Sequence, residues 1–144
     1  MLSNKNYRLY IQRNKNINLY ELDQLCDTVG WAPRSFRKLK KVLDNSFLIF
    51  TIVQRCDNTD RLIGFARVTS DCTFNATIWD VVIHPNFQHR GFGKFLILTI
   101  IKDLKKREIS NIHLFSDAHA IGFYKKLGFF TDSEGSKGMF WYPI

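Results

Sequence analysis

Hydrophobic and polar positions change period several times along the chain, and each change marks an element. Tyr7, Leu9 and Ile11 alternate with Arg8, Tyr10 and Gln12, which predicts a first strand over Tyr7–Arg13. Leu19, Leu22, Leu25 and Cys26 then recur at helical spacing behind Asn16 and Asn18, two residues suited to cap a helix that runs to Val29. Gly30 is its stop signal. After a turn at Trp31-Ala32-Pro33, Ser35 caps a second helix with Phe36, Leu39, Val42 and Leu43 as its apolar stripe. Phe47–Arg55 and Leu62–Thr69 read as strands joined by the polar turn Asp57-Asn58-Thr59-Asp60. Ala76–His84 is almost continuously apolar except for Asp80, the pattern of a strand covered on both faces.

Gly91–Glu108 is a long amphipathic helix with Phe92, Phe95, Leu96, Ile100, Ile101 and Leu104 at helical spacing. Lys102, Lys105, Lys106 and Arg107 gather toward its end, where the helix dipole favours cations. Asn111–Ser116 reads as a strand and Ala118–Leu127 as a short helix stopped by Gly128. Phe129-Phe130 and Met139–Tyr142 read as short closing strands. The order predicts an α+β domain over residues 1–144, with a central mixed, mostly antiparallel sheet flanked by about four helices.

Composition narrows the function classes. With 144 residues, 45% hydrophobic and 24% charged, the chain suits one globular domain and excludes a disordered or collagen-like polymer. Its 21 Lys+Arg against 13 Asp+Glu give a net charge of +8, and 15% of the residues are aromatic. That combination points to a polyanion: nucleic acid by default, a phosphorylated cofactor otherwise. The basic residues are spread over Arg34–Lys41, Lys102–Arg107 and Lys125-Lys126, and no RNA-binding or zinc signature accompanies them, so a nucleic-acid module is expected less than a cofactor site. Cys26, Cys56 and Cys72 form no CxxC pair and read as small buried hydrophobes in a reducing compartment. His84, His89, His113 and His119 lack metal-ligand spacing, so no metal is expected. The N-terminal residues are too polar for a signal peptide, and no apolar run approaches the ~18 residues that span a bilayer. A soluble, intracellular protein without a membrane partner is expected.

The chemistry concentrates in Val81-Val82-Ile83-His84-Pro85-Asn86-Phe87-Gln88-His89-Arg90-Gly91-Phe92-Gly93-Lys94. An apolar strand ends at Pro85, and Gly91 and Gly93 open a helix. Glycines there allow a tight turn and present consecutive N–H groups, which together with the helix dipole seat an anion. Arg90 and Lys94 add charge, and the seat suits a pyrophosphate. The string is not a P-loop, since no Lys-Ser/Thr pair follows, nor a dinucleotide fingerprint, since Leu96 stands at the third glycine position.

The full string resembles motif A of the GNAT family of N-acetyltransferases, Gln/Arg-x-x-Gly-x-Gly/Ala. Asp117-Ala118-His119-Ala120-Ile121-Gly122-Phe123-Tyr124-Lys125-Lys126-Leu127-Gly128-Phe129 resembles the family's motif B. The stretches Ile78-Trp79-Asp80-Val81-Val82, Leu114-Phe115-Ser116-Asp117 and Lys137–Pro143 are similar to the plastid and cyanobacterial branch, which includes serotonin N-acetyltransferases and chloroplast lysine and N-terminal acetyltransferases. The resemblance implies acetyl-CoA bound in a splay between the strands preceding the two motifs. Val81, Val82 and Ile83 would offer backbone groups to the pantetheine arm and acetyl carbonyl. Gln88, His89, Arg90, Gly91, Phe92, Gly93 and Lys94 would cradle the pyrophosphate. Tyr124 would also touch the cofactor and protonate the departing thiolate, while Phe123 is expected in the core.

Asp117 stands where the family commonly has Asn. It reads either as the base that accepts the amine proton or as a helix N-cap. Asp80, alone in an apolar strand, reads as a second base or substrate counter-charge whose pKa desolvation would raise, or as a structural carboxylate. Trp31, Phe36 and Tyr142 could wall an acceptor pocket or simply pack the core, with Glu134 as a further counter-charge.

The resemblance implies transfer of acetyl from acetyl-CoA to a primary amine by direct attack, an arylalkylamine such as serotonin being the first expectation. A protein lysine or N-terminus is the alternative, favoured if the acceptor side is an open groove rather than a closed pocket. An acyl-CoA sensor and a nucleic-acid module are the readings from other classes. The resemblance further implies a homodimer by analogy, and a plastid stroma or bacterial cytoplasm as the location.

Overall fold

The computed structural model describes residues 7–12, 16–56 and 58–143, with the backbone alone described at 7–12, 56 and 133. Arg13, Asp57 and the side chains of Tyr7–Gln12 and Cys56 therefore lie outside the described residues. Five strands form one sheet in the order β1-β2-β3-β4-β5. They are β1 (Tyr7–Gln12), β2 (Leu48–Cys56), β3 (Thr59–Ser70), β4 (Asn75–Ile83) and β5 (Asn111–Leu114). The first three pairings are antiparallel and the last, β4 with β5, is parallel. The parallel step requires a crossover, which α3 (Phe92–Lys106) provides.

Helices α1 (Leu19–Asp27) and α2 (Phe36–Asp44) begin at the predicted caps. The Asn18 side chain accepts from the N–H groups of Tyr20 and Glu21, and that of Ser35 from Lys38. Two cores result, one on each sheet face. Leu48, Phe50, Ile52, Ala66, Val68, Ala76 and Ile78 pack with Leu96, Ile97, Ile100 and Leu104 of α3. On the other face, Ile49, Phe65 and Val82 pack with Leu22, Leu25, Leu39 and Leu43 of α1 and α2. The β3–β4 turn is held by Asp71, which accepts from the N–H groups of Thr73, Phe74 and Asn75. These bonds favour the ionised form and hold its carboxyl down at about 2.

The predicted helix over Ala118–Leu127 divides into a 3-10 turn, Ala118–Ala120, and α4, Ile121–Lys126. The expected closing strands at Phe129-Phe130 and Met139–Tyr142 are not strands. A strand needs a ladder partner. The segment instead turns its side chains onto β5's end, with Phe140 on Phe115 at 5.3 Å and Phe140 stacked on Tyr142 at 6.4 Å. Cys26 is buried, as expected of a small hydrophobe, and its thiol is pushed up by that burial, whereas Cys72 is exposed.

Candidate active site

The site grows out of the end of β4. A 3-10 turn, Pro85–Phe87, follows the strand and is capped by His84, whose Nδ1 accepts from the Asn86 N–H at 3.1 Å. Burial, then the charge of Arg61 beside its Nε2, lowers the His84 pKa, which favours the neutral imidazole. The Gln88 side-chain amide donates to the Ile83 carbonyl at 2.9 Å, bracing the strand end against the loop. His89 (φ 60°) and Gly91 (φ 85°) both take the left-handed conformation. Arg90 lays its guanidinium over the Phe87 ring at 5.5 Å.

Gly91 occupies the cap position of α3. No side chain caps the helix and no acidic residue stands in its first turn. The N–H groups of Gly93 and Lys94 thus open a helix whose positive end is left for an anion, with the exposed Arg90 and Lys94 side chains beside it. The two glycines serve different needs. A Cβ on Gly91 would meet nothing within 4 Å, so its requirement is conformational. A Cβ on Gly93 would come to 3.4 Å from the Phe123 ring. Phe123, expected in the core, therefore sits partly exposed against the start of α3.

The two parallel strands part company at this end of the sheet. Pairing of β4 with β5 runs from Asn75↔Asn111 to Ile78↔Leu114 and stops there, although β4 continues to Ile83. On its other edge β4 keeps β3, through Val82↔Phe65 and Ile83↔Gly64. Val81, Val82 and Ile83 thus lie beyond the end of that ladder, on the side where β4 and the segment that leaves β5 no longer pair and a wedge-shaped opening between them is expected.

That segment carries Asp117 and leads to Tyr124 on α4. Asp117 stands at the cap position of the 3-10 turn, but its carboxylate makes no cap hydrogen bond and is exposed. Tyr124 is half-buried, with its ring against Phe123 at 5.0 Å and Phe129 at 5.7 Å. Burial, and secondarily the negative charge of Asp117, raises the Tyr124 pKa above its ordinary 10.0. The structure therefore brings these two residues into electrostatic contact and keeps the phenol protonated.

A bulge shapes the β4 side of the opening. Opposite β3 the register jumps from Arg67↔Trp79 to Phe65↔Val82, leaving Asp80 and Val81 against a single residue. Asp80 takes φ 54° there. Its Oδ2 receives the Arg67 Nε at 2.7 Å and the Arg34 Nη1 at 3.2 Å. Burial works against the Arg34 charge, but Asp80 and then Cys26 together offset it and hold the guanidinium pKa above its ordinary value.

Trp79, one residue earlier, meets Phe115 at 5.6 Å across the mouth of the opening. Phe115 continues the row to Phe140 and Tyr142, which is 73% exposed. Tyr142 thus joins the site through this row, while Trp31 packs partly buried against the α1–α2 core. The partners Arg34 and Arg67 and the row through Phe115 and Phe140 were missed in the sequence. One signal existed: Arg67 is the lone charge within Leu62–Thr69, as Asp80 is within its own apolar strand.

Residues 16–129 match the model of the acetyltransferase (GNAT) family. The chain belongs to the GNAT family. It is 56% identical over 135 residues to the uncharacterized N-acetyltransferase ycf52 of Pyropia yezoensis, covering 94% of this chain and 78% of that one. It is 43% identical over 143 residues to the chloroplastic GCN5-related N-acetyltransferase 2 of Arabidopsis thaliana, covering 88% of this chain and 55% of the longer relative. A GNAT-family acetyltransferase from Streptococcus pneumoniae superposes with a TM-score of 0.77 at 23% identity, over 95% of this chain and 98% of that one, a likeness of fold. The chain is accordingly a GNAT N-acetyltransferase of the plastid and cyanobacterial type. Among the described residues no helix is long and apolar enough to cross a membrane, and no group of three His, Cys, Asp or Glu could hold a metal ion.

Proposed function

We propose that this GNAT protein transfers acetyl from acetyl-CoA to a primary amine by direct attack, in a plastid or a cyanobacterium-like cytoplasm. The wedge between β4 and the segment after β5, with the uncapped start of α3 at one end and a protonated Tyr124 beside it, carries this reading. The α3 start fits a pyrophosphate: glycines stand where a Cβ would strain the backbone or press on Phe123, and Arg90 and Lys94 supply charge. The open edge of β4 at Val81–Ile83 offers backbone groups to a pantetheine amide and an N–H to the tetrahedral oxyanion.

In the reaction the amine, having lost its proton, attacks the thioester carbonyl. Asp117 accepts that proton directly or through water, since it is exposed and no cap hydrogen bond occupies it. Collapse of the tetrahedral species expels the CoA thiolate, the Tyr124 hydroxyl protonates it, and the second proton shed by the nitrogen as the amide forms returns to the Tyr124 oxygen, directly or through water. No acyl-enzyme forms, so no cysteine is required.

For the acceptor, exposure favours one reading over another. Phe140 is 62% and Trp141 85% exposed, so the acceptor side is an open aromatic surface, which favours an amine carried on a polypeptide. The row Trp79–Phe115–Phe140–Tyr142 favours a second reading, an arylalkylamine such as serotonin stacked on its faces. The test is acetyl-CoA turnover against lysine peptides, N-terminal peptides, arylalkylamines and polyamines. Turnover highest with lysine peptides is expected. Turnover confined to serotonin and its analogues selects the second reading, and CoA binding without any turnover supports the sensor alternative.

A further inference from the structure

The acetyl-transfer reading rests on the open edge of β4, and an ion cluster lies directly behind that edge. We propose that Asp80, clasped by Arg34 and Arg67, is a positioning residue: it holds the β4 bulge in shape and thereby sets the backbone of Val81–Ile83 against the cofactor. It acts through the strand and not on the substrate. This inference depends on acetyl-CoA occupying the wedge.

Three observations carry it. The first is conformational. Asp80 sits at φ 54°, a region that disfavours residues with a Cβ, so surrounding contacts must hold it there.

The second is the consequence of the bulge. Before it, Ala76 and Ile78 pack on the α3 face. After it, Val82 joins the α1–α2 core, while Val81 and Ile83 pack toward α3. The extra residue therefore inverts the side-chain phase of β4, and with it the backbone groups that β4 turns toward the opening. Loss of the bulge would put Val82 and Ile83 on exchanged faces.

The third is the clasp. Both guanidiniums bond the same carboxylate oxygen, from Nε of Arg67 on β3 and Nη1 of Arg34 in the loop before α2. The remaining contacts pin the neighbouring rung. Arg67 lies over the Trp79 ring at 5.8 Å, Trp79 Nε1 donates to Thr69 Oγ1 at 2.8 Å, and Arg34 Nη2 reaches Cys26 Sγ in α1 at 3.7 Å. The α1–α2 loop and β3 thus converge on one oxygen of β4, and Arg34 ties α1 to the same cluster. The cluster also argues against Asp80 as a counter-charge for substrate. Two cations around one anion leave a local surplus of positive charge, which repels an ammonium ion.

The test uses the full chain, with CoA affinity read by calorimetry and acetyl-CoA KM and kcat read with the best amine. The variants are Asp80→Asn, Asp80→Gly, Asp80→Ala and Arg67→Ala. Asp80→Ala is expected to weaken CoA binding about tenfold, because it keeps the strain and loses the clasp. Asp80→Asn loses least, since an Asn oxygen still accepts from both arginines and Asn tolerates the left-handed region. Asp80→Gly, which removes the strain but not the loss of the clasp, falls between them. Arg67→Ala, with Asp80 intact, raises the KM for acetyl-CoA in the same direction.

A residue in the chemistry behaves otherwise. If all three Asp80 variants lose kcat alike, with CoA affinity unchanged and Arg67→Ala equal to wild type, the proposal is overturned. If Asp80→Ala does not fold, the order of Asn over Gly and the Arg67→Ala result decide the matter. Failure of the wild-type chain to bind CoA removes the cofactor reading and this proposal together. Equal binding by wild type and every variant removes only this proposal.

Discussion

Two effects keep the Tyr124 hydroxyl protonated, and they act in the same sense. Burial disfavours the phenolate, and the negative charge of Asp117 disfavours it further. On the proposed mechanism this leaves the acid for the thiolate available across the whole working range. Tyr124→Phe is expected to lower kcat about 100-fold while leaving CoA affinity near wild type, a difference that steady-state kinetics beside calorimetry resolves. The alkaline limb of the kcat profile should lie above pH 10, and Asp117→Asn, by removing a charge that raises the pKa, should move that limb down. At this scale the sequence was only partly legible. Asp117 and Tyr124 stand seven residues apart in a recognisable string, yet the sequence left the cap role for Asp117 open; the structure keeps it at the cap position with no cap bond from its side chain. For Asp80 the sequence offered a lone carboxylate in an apolar run. Its partners lie 13 and 46 residues away, where no local pattern connects them.

The elements obey local rules where local rules suffice. The caps at Asn18 and Ser35 and the periodic stripes of α1, α2 and α3 appear where the pattern places them, because capping and amphipathicity depend on residues within a few positions. Gly91 is the sharpest case. It caps α3 at φ 85° with open space around it, so only conformation forbids a side chain. Gly91→Ala should cost roughly 1–2 kcal/mol and weaken CoA binding with it, measured by thermal melts and calorimetry. Gly122→Ala, in α4 and with nothing near its Cβ, should leave stability equal or raised. Where an element needs a distant partner, the pattern misleads. The apolar run of β4 reads as a strand covered on both faces, and β4 does pack into both cores; what the run does not show is the bulge at Asp80, after which odd-numbered rather than even-numbered residues face α3. Met139–Tyr142 has the composition of a strand but packs by its rings on Phe115.

At the scale of the molecule, the β4–α3 crossover joins the core to the site: the helix that begins at the anion seat is also the one that covers the sheet. Leu96 is fully buried between α3 and the sheet with Phe50 and Ile52 in the same cluster. Leu96→Ala should lower the unfolding free energy by about 2–5 kcal/mol in urea titration, without a proportionate loss of kcat in the folded fraction. The net charge of +8 divides in the same way. Arg90 and Lys94 flank the seat, Arg34 and Arg67 are drawn inward by Asp80, and Lys102, Lys105 and Lys106 line a shallow groove farther along α3.

The sequence by itself determined α1, α2 and α3, the caps of the first two, the glycine-opened start of α3 and the α+β order, since each depends on spacing or on a residue's own conformational freedom. The tertiary structure alone decided that β4 and β5 part after Ile78, that β4 reverses its faces at Asp80, and that Arg34 and Arg67 meet there. Those features depend on strand register and on charges brought together from separate segments, and neither is encoded in a local period.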